Sequence, residues 1–170
     1  AKKFKGHGWM GVKFQTKPDE PDSIITTHIR FKENDAKQQQ LSLGYMGVNL
    51  IYGAFYQNDK PKKILKYLFD HIDKDAIEID TINFQGPLFK DIDNRVLSLE
   101  LVKLGMTDAV MFGPDGNNLL PAAELYRKNI IALRGRFRPV TIVNEDMYKQ
   151  SLSIFQNESE NDDDETLVIF

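Results

Sequence analysis

Apolar residues in this chain keep two different periods, and the switch between them restricts it to a fold that mixes a sheet with helices. Over residues 11–16, Val12 and Phe14 alternate with Lys13 and Gln15. Over 23–32, Ile25, Thr27, Ile29 and Phe31 alternate with Ile24, Thr26, His28 and Arg30. Alternation of this kind places each set on its own face of a strand. Between the two stretches, Pro18-Asp19-Glu20-Pro21-Asp22 is turn chemistry, so they read as a β-hairpin. Residues 2–9, which hold Gly6 and Gly8, read as a loop before it.

The period then lengthens. Asn34 or Asp35 is suited to cap a helix over 36–45, and the apolar stretch 48–56 reads as a buried helix or a buried strand after it, with the helix preferred. Pro61 suits the first turn of another helix, where Ile64, Leu65, Leu68, Phe69 and Ile72 recur at helical spacing. In the second half, strands are expected at 77–84, 108–112 and 130–138, and helices at 94–104, 121–128 and 145–155. Asp93 is placed to cap the first of these helices and Gly105 to stop it. Strands alternating with helices argue for parallel pairing through right-handed crossovers. The expected class is α/β (mixed): an N-terminal β-hairpin, a helical middle, then a βαβαβ-like unit on one mixed sheet flanked by helices.

Residues 1–156 are expected to form a single domain. Glu158, Glu160, Asp162, Asp163, Asp164 and Glu165 make 157–165 a self-repelling, mobile acidic loop or linker, and 166–170 is an apolar, β-branched terminal strand. That strand stops abruptly at Phe170 and the chain opens on Ala1, so the sequence reads as a piece of a longer protein. A net charge of −3 argues against general affinity for nucleic acid or for anionic membranes. There is no cysteine and only three histidines (His7, His28 and His71), so neither a disulfide nor a structural zinc site is expected, and the sequence assigns no metal and no cofactor. The richest apolar stretch, 41–56, is interrupted by Gly44, Gly47, Asn49 and Gly53 and falls short of the ~20 residues that cross a bilayer. With no signal peptide visible, the expected location is the cytoplasm.

The clearest chemical signal is Arg134-Gly135-Arg136-Phe137-Arg138-Pro139-Val140-Thr141. On an extended strand, Arg134, Arg136 and Arg138 would share one face, and guanidinium forks match phosphate or carboxylate. Thr141 and Asn144 could complete the donors. The plainer alternative is a solvated strand face neutralised by Glu124, Glu145 and Asp146, in pairs worth roughly 0–1 kcal/mol each. Asp91 and Asp93, two apart before a helix, could hold Mg²⁺, but capping by Asp93 explains them more simply. His7 lies between Gly6 and Gly8 without the strand-then-helix setting of a phosphate-binding histidine motif.

Several segments together carry a resemblance: Gly8-Trp9-Met10-Gly11, Gly47-Val48-Asn49-Leu50-Ile51-Tyr52-Gly53-Ala54, Asp91-Ile92-Asp93-Asn94-Arg95, the stretch 108–116, and Arg138-Pro139-Val140-Thr141. The chain resembles, over most of its length, a family of poorly characterised bacterial proteins. Its members carry the names nicotinate-nucleotide adenylyltransferase or TonB-dependent receptor. The second name implies an outer-membrane barrel of many alternating strands, which the helical periods oppose. The first implies a nucleotide site. No catalytic residue comes across with the resemblance. The expected function is binding of a phosphorylated or carboxylated, nucleotide-like small molecule through the arginines, in the service of nucleotidyl or phosphoryl transfer if the protein is an enzyme. The alternative is a non-catalytic interaction or scaffolding domain whose arginines meet an acidic protein partner.

Overall fold

The hairpin expected from alternation is present and belongs to a larger sheet. In the computed structural model, which describes residues 5–158 and 166–170, β1 (His7–Phe14) pairs antiparallel with β2 (Ser23–Phe31), and β2 pairs antiparallel with β3 (Ile77–Gln85). β1 therefore begins at His7, inside the stretch read as a loop, because its residues find hydrogen-bond partners along β2 up to Arg30. Ile25 and Ile29 of β2 and Ile77, Ile79, Ile82 and Phe84 of β3 are buried in the core. Three helices supply the other half of that core: α1 (Ala36–Tyr56), α2 (Pro61–Tyr67) and α3 (Asn94–Lys103).

The helical middle is simpler than its glycines suggest. Residues 36–56 form one continuous helix rather than two, with Met46, Leu50 and Ala54 buried. Asp35 is its cap, accepting hydrogen bonds from Lys37 N (2.9 Å) and Gln38 N (3.0 Å). Gly53 brings α1 against α2: a Cβ there would lie 2.8 Å from Ile64 Cγ2. Asn49, buried in the same seam, donates from Nδ2 to the carbonyls of Leu68 (3.1 Å) and Asp70 (2.8 Å), just past the end of α2.

Gly86, at φ +98°, ends β3 where no side chain fits: a Cβ would stand 2.6 Å from the Asp22 carbonyl. After a 3₁₀ turn (Pro87–Phe89), Asp93 caps α3 and Gly105 stops it at φ +69°. The next strands depart from expectation. β4 is only Met111–Phe112, and it pairs antiparallel with β5 (Asn118–Leu119) across the turn that holds Gly116. A βαβαβ unit on one mixed sheet is therefore not formed. The strand after α3 turns back on itself in a hairpin, and among the described residues the strands lie in three separate sheets.

Contacts divide the chain into two compact units, 1–120 and 121–170, with the boundary inside the stretch expected to be one domain. The second unit holds α4 (Pro121–Glu124), β6 (Asn129–Ala132), α5 (Ile142–Glu158) and β7 (Thr166–Ile169). Parallel pairing does occur here, between β6 and β7. Most of the acidic stretch, from 159 to 165, lies outside the described residues.

Candidate functional site

The arginine segment is not a strand. β6 ends at Ala132, the Leu133 N–H makes a last bond to the Ile169 carbonyl (2.9 Å), and 134–141 continues as bends and irregular backbone. Pro139, preceded by a cis peptide bond, has no N–H to give to a ladder. Arg134, Arg136 and Arg138 are all exposed. Sheet pleating therefore does not line them on one face.

Among the described residues, none of the three forms an ion pair with a carboxylate. Two of the acids that the plainer reading would have used are bound to lysines instead. Glu124 meets Lys128 at 3.8 Å, and Glu145 meets Lys149 one helical turn on.

Thr141 and Asn144 have a structural task. The Thr141 N–H and hydroxyl donate to Asn144 Oδ1 (2.9 and 2.8 Å), and the Asn144 N–H donates back to Thr141 Oγ1 (3.4 Å). This reciprocal box closes the first turn of α5. The sequence placed both residues beside the arginines, but their oxygens serve the helix end; Asn144 Nδ2 has no partner among the described residues.

The same unit holds a groove of about 410 Å³ lined by Phe137, Val140, Asn144, Glu145, Tyr148 and Phe170. Phe137 packs edge-on against Phe170 at 5.4 Å between ring centres, and the Tyr148 ring lies tilted to Phe170 at 6.3 Å. Arg136 and Arg138 flank Phe137 in sequence, so an aromatic recess and two cations without an ion pair among the described residues share one short segment.

The first unit contains two polar features. A cleft of about 690 Å³ is lined by Asn83, Gln85, Lys90, Asp91, Arg95 and Asn117, among others. At its rim Asp93 caps α3 and grips the Arg95 guanidinium (3.0 Å to Nε, 2.8 Å to Nη2), which holds the Asp93 carboxyl below its usual range. Capping is thus the role of Asp93, and among the described residues no three His, Asp or Glu side chains form a metal-ligand cluster.

The second feature escaped the sequence reading. His28, almost fully buried, presents Nδ1 to both oxygens of buried Asp80, at 2.9 and 3.0 Å. Its Nε2 lies 3.2 Å from Nδ1 of exposed His7, and the Trp9 indole packs edge-on at 5.2 Å. Burial pushes the Asp80 carboxyl up, and the His28 hydrogen bond opposes that rise. A β-bulge builds the contact: Thr81 pairs with His28 and Ile79 with Ile29, so Asp80 is the extra residue on β3. The signal was present as a slip in period. Ile77 and Ile79 are two apart, and Ile82 and Phe84 are two apart, but Ile79 and Ile82 are three apart.

Comparison with family models, with curated proteins and with solved structures returned no match.

Proposed function

We propose that the unit 121–170 binds a small anion that carries a phosphate or carboxylate on an aromatic or apolar body, as a nucleotide does. One observation carries the reading: among the described residues Arg134, Arg136 and Arg138 form no ion pair with a carboxylate, and Arg136 and Arg138 flank in sequence Phe137, which lines an open groove with Tyr148. Arg134, Arg136 and Arg138 would supply charge, the groove would take the ring, and Asn144 Nδ2 would add a donor. If the protein is an enzyme, nucleotidyl or phosphoryl transfer is the class such a site serves, because that chemistry rests on positioning and charge neutralisation.

The test is thermal unfolding with ATP, NAD and inorganic phosphate, since a ligand that binds only the folded state raises Tm. ATP or NAD should raise Tm more than phosphate does. Arg136→Ala should remove the rise for all three, and Tyr148→Ala should remove only the advantage of the ring-bearing compounds. No rise with any compound would defeat the proposal.

A second reading, a non-catalytic interaction domain, is favoured by one specific feature. Leu41, Tyr45, Val48, Tyr52 and Phe55 recur every three or four residues along α1, and all are at least 40% exposed. If that stripe mediates association, Val48→Glu should abolish a self-associated or partner-bound species in sedimentation without changing nucleotide response.

A further inference from the structure

The buried pair His28–Asp80 has no part in the reading above, and its geometry is specific. His28 has two ring nitrogens. Nδ1 faces a carboxylate that accepts from it at 2.9 and 3.0 Å, so Nδ1 carries the proton. In the neutral ring Nε2 is then an acceptor, and it faces a nitrogen of a second imidazole, His7 Nδ1, at 3.2 Å. A neutral His7 ring with its proton on Nδ1 donates to that acceptor in an ordinary N–H···N hydrogen bond, and a metal ion can take the place of the shared proton.

Three observations point to the metal. First, two imidazole nitrogens each about 2.0–2.1 Å from one tetrahedral ion stand about 3.3–3.4 Å apart. The observed 3.2 Å is close to that spacing without rearrangement. Second, a carboxylate behind a ligating histidine fixes its tautomer and raises its basicity, and Asp80 stands in that place with both oxygens. Third, access is open on one side: His7 and Trp9 are exposed, Trp9 at 61%.

We propose that His7 Nδ1 and His28 Nε2 form a two-imidazole site for a divalent first-row transition ion of the copper, nickel or zinc class, with Asp80 as the positioning residue behind His28. Nitrogen ligands select these ions over magnesium and calcium. With two protein ligands the remaining positions are open to water or to a substrate donor atom, the pattern of a site that acts on something rather than one that only holds a fold together.

Trp9 makes the test direct, because it is the single tryptophan and its ring lies 5.2 Å from His28. The probe is Cu²⁺ alone, titrated into the chain without a histidine tag at pH 7.5 while indole emission is recorded. Saturable quenching is expected in the wild type. His7→Ala should raise the half-saturating concentration at least about tenfold, and Asp80→Asn should raise it about 10–100-fold. His7 is exposed, so its variant keeps the fold and decides the matter even if His28→Ala unfolds. His71→Ala, remote in sequence and exposed, should leave the curve unchanged. Quenching that rises linearly without saturation, or an unaltered curve in His7→Ala, overturns the proposal and leaves an N–H···N hydrogen bond between the two rings.

Discussion

Asn49 is the residue through which the helical layer is most exposed to a single change. It lies in the middle of α1, is 8% exposed, and carries no charge to draw it outward. Its amide donates to the carbonyls of Leu68 and Asp70, where α2 has ended and the chain turns without a regular ladder to supply donors. Asn49→Ala leaves both carbonyls without that donor. The bond to Leu68 is buried, so its loss costs about 1–3 kcal/mol; the bond to Asp70 is half-buried and adds about 0.5–1.5 kcal/mol. The sum is about 1.5–4.5 kcal/mol. Urea unfolding followed by Trp9 emission reads the unit that contains Asn49, since Trp9 lies in the same unit. Asn49→Asp separates donor loss from volume loss. It keeps the shape but sets an ionised carboxylate against two carbonyl oxygens, so it should cost at least as much as alanine at pH 7. That cost should shrink on acidification, as protonation restores one donor. If Asn49→Asp unfolds at the wild-type urea midpoint at pH 7, the amide is not donating as described and the argument fails.

Gly86→Ala should destabilise by about 2–4 kcal/mol, because it combines φ +98° with a Cβ 2.6 Å from one backbone atom and 2.7 Å from another; a shift in urea midpoint under a quarter of that size would refute it. Gly44→Ala and Gly47→Ala should each stabilise α1 by about 0.5–1 kcal/mol, since an added Cβ meets no atom within 4 Å and alanine is the better helix former. Loss of stability in either variant would mean that another element occupies that surface. For pH, the Arg95 guanidinium lowers the Asp93 carboxyl below 3.8, so the pair's contribution is present above the unfolded value and lost as pH falls through the lower folded one. Arg95→Met should therefore lower stability slightly at pH 7, by a difference that shrinks as pH falls, and a difference that grows in acid would contradict that sign.

Much of the first unit could be read in the chain because its signals are local. Alternation in β1 and β2, the Asp35 and Asp93 caps, the Pro61 start and the Gly105 stop each act within a few residues, and each is where the structure uses it. The failures are of a different kind. Strand pairing is decided by partners far along the chain, so alternating strands and helices after 77 suggested crossovers that do not form. Met111 and Phe112 have antiparallel partners eight and six residues on, and a short hairpin satisfies their backbone sooner than a crossover would. The division of α1 into two helices failed because helical glycine is a cost of about 1 kcal/mol, not a prohibition, when the helix buries Met46, Leu50 and Ala54.

The candidate sites show the same division more sharply. Period two among Arg134, Arg136 and Arg138 specifies a shared face only if the backbone is extended, and extension needs a neighbouring strand and an apolar face to bury. The segment has only Phe137 between its arginines, and that ring packs against Phe170 at 5.4 Å rather than into a sheet. Arginine clustering survives the loss of the strand, since charge density does not depend on pleating. Three neighbouring guanidiniums still repel one another and still attract an anion, which is why the proposal rests on their lack of ion pairs among the described residues and not on their alignment. His28 and Asp80, by contrast, are 52 residues apart and meet only because one extra residue enters β3. A pattern search scores that slip as a flaw in the strand. Physically it is the means by which a carboxylate is brought to the buried side of a histidine, and a break in period between two well-kept halves is therefore where a polar cluster should be sought first.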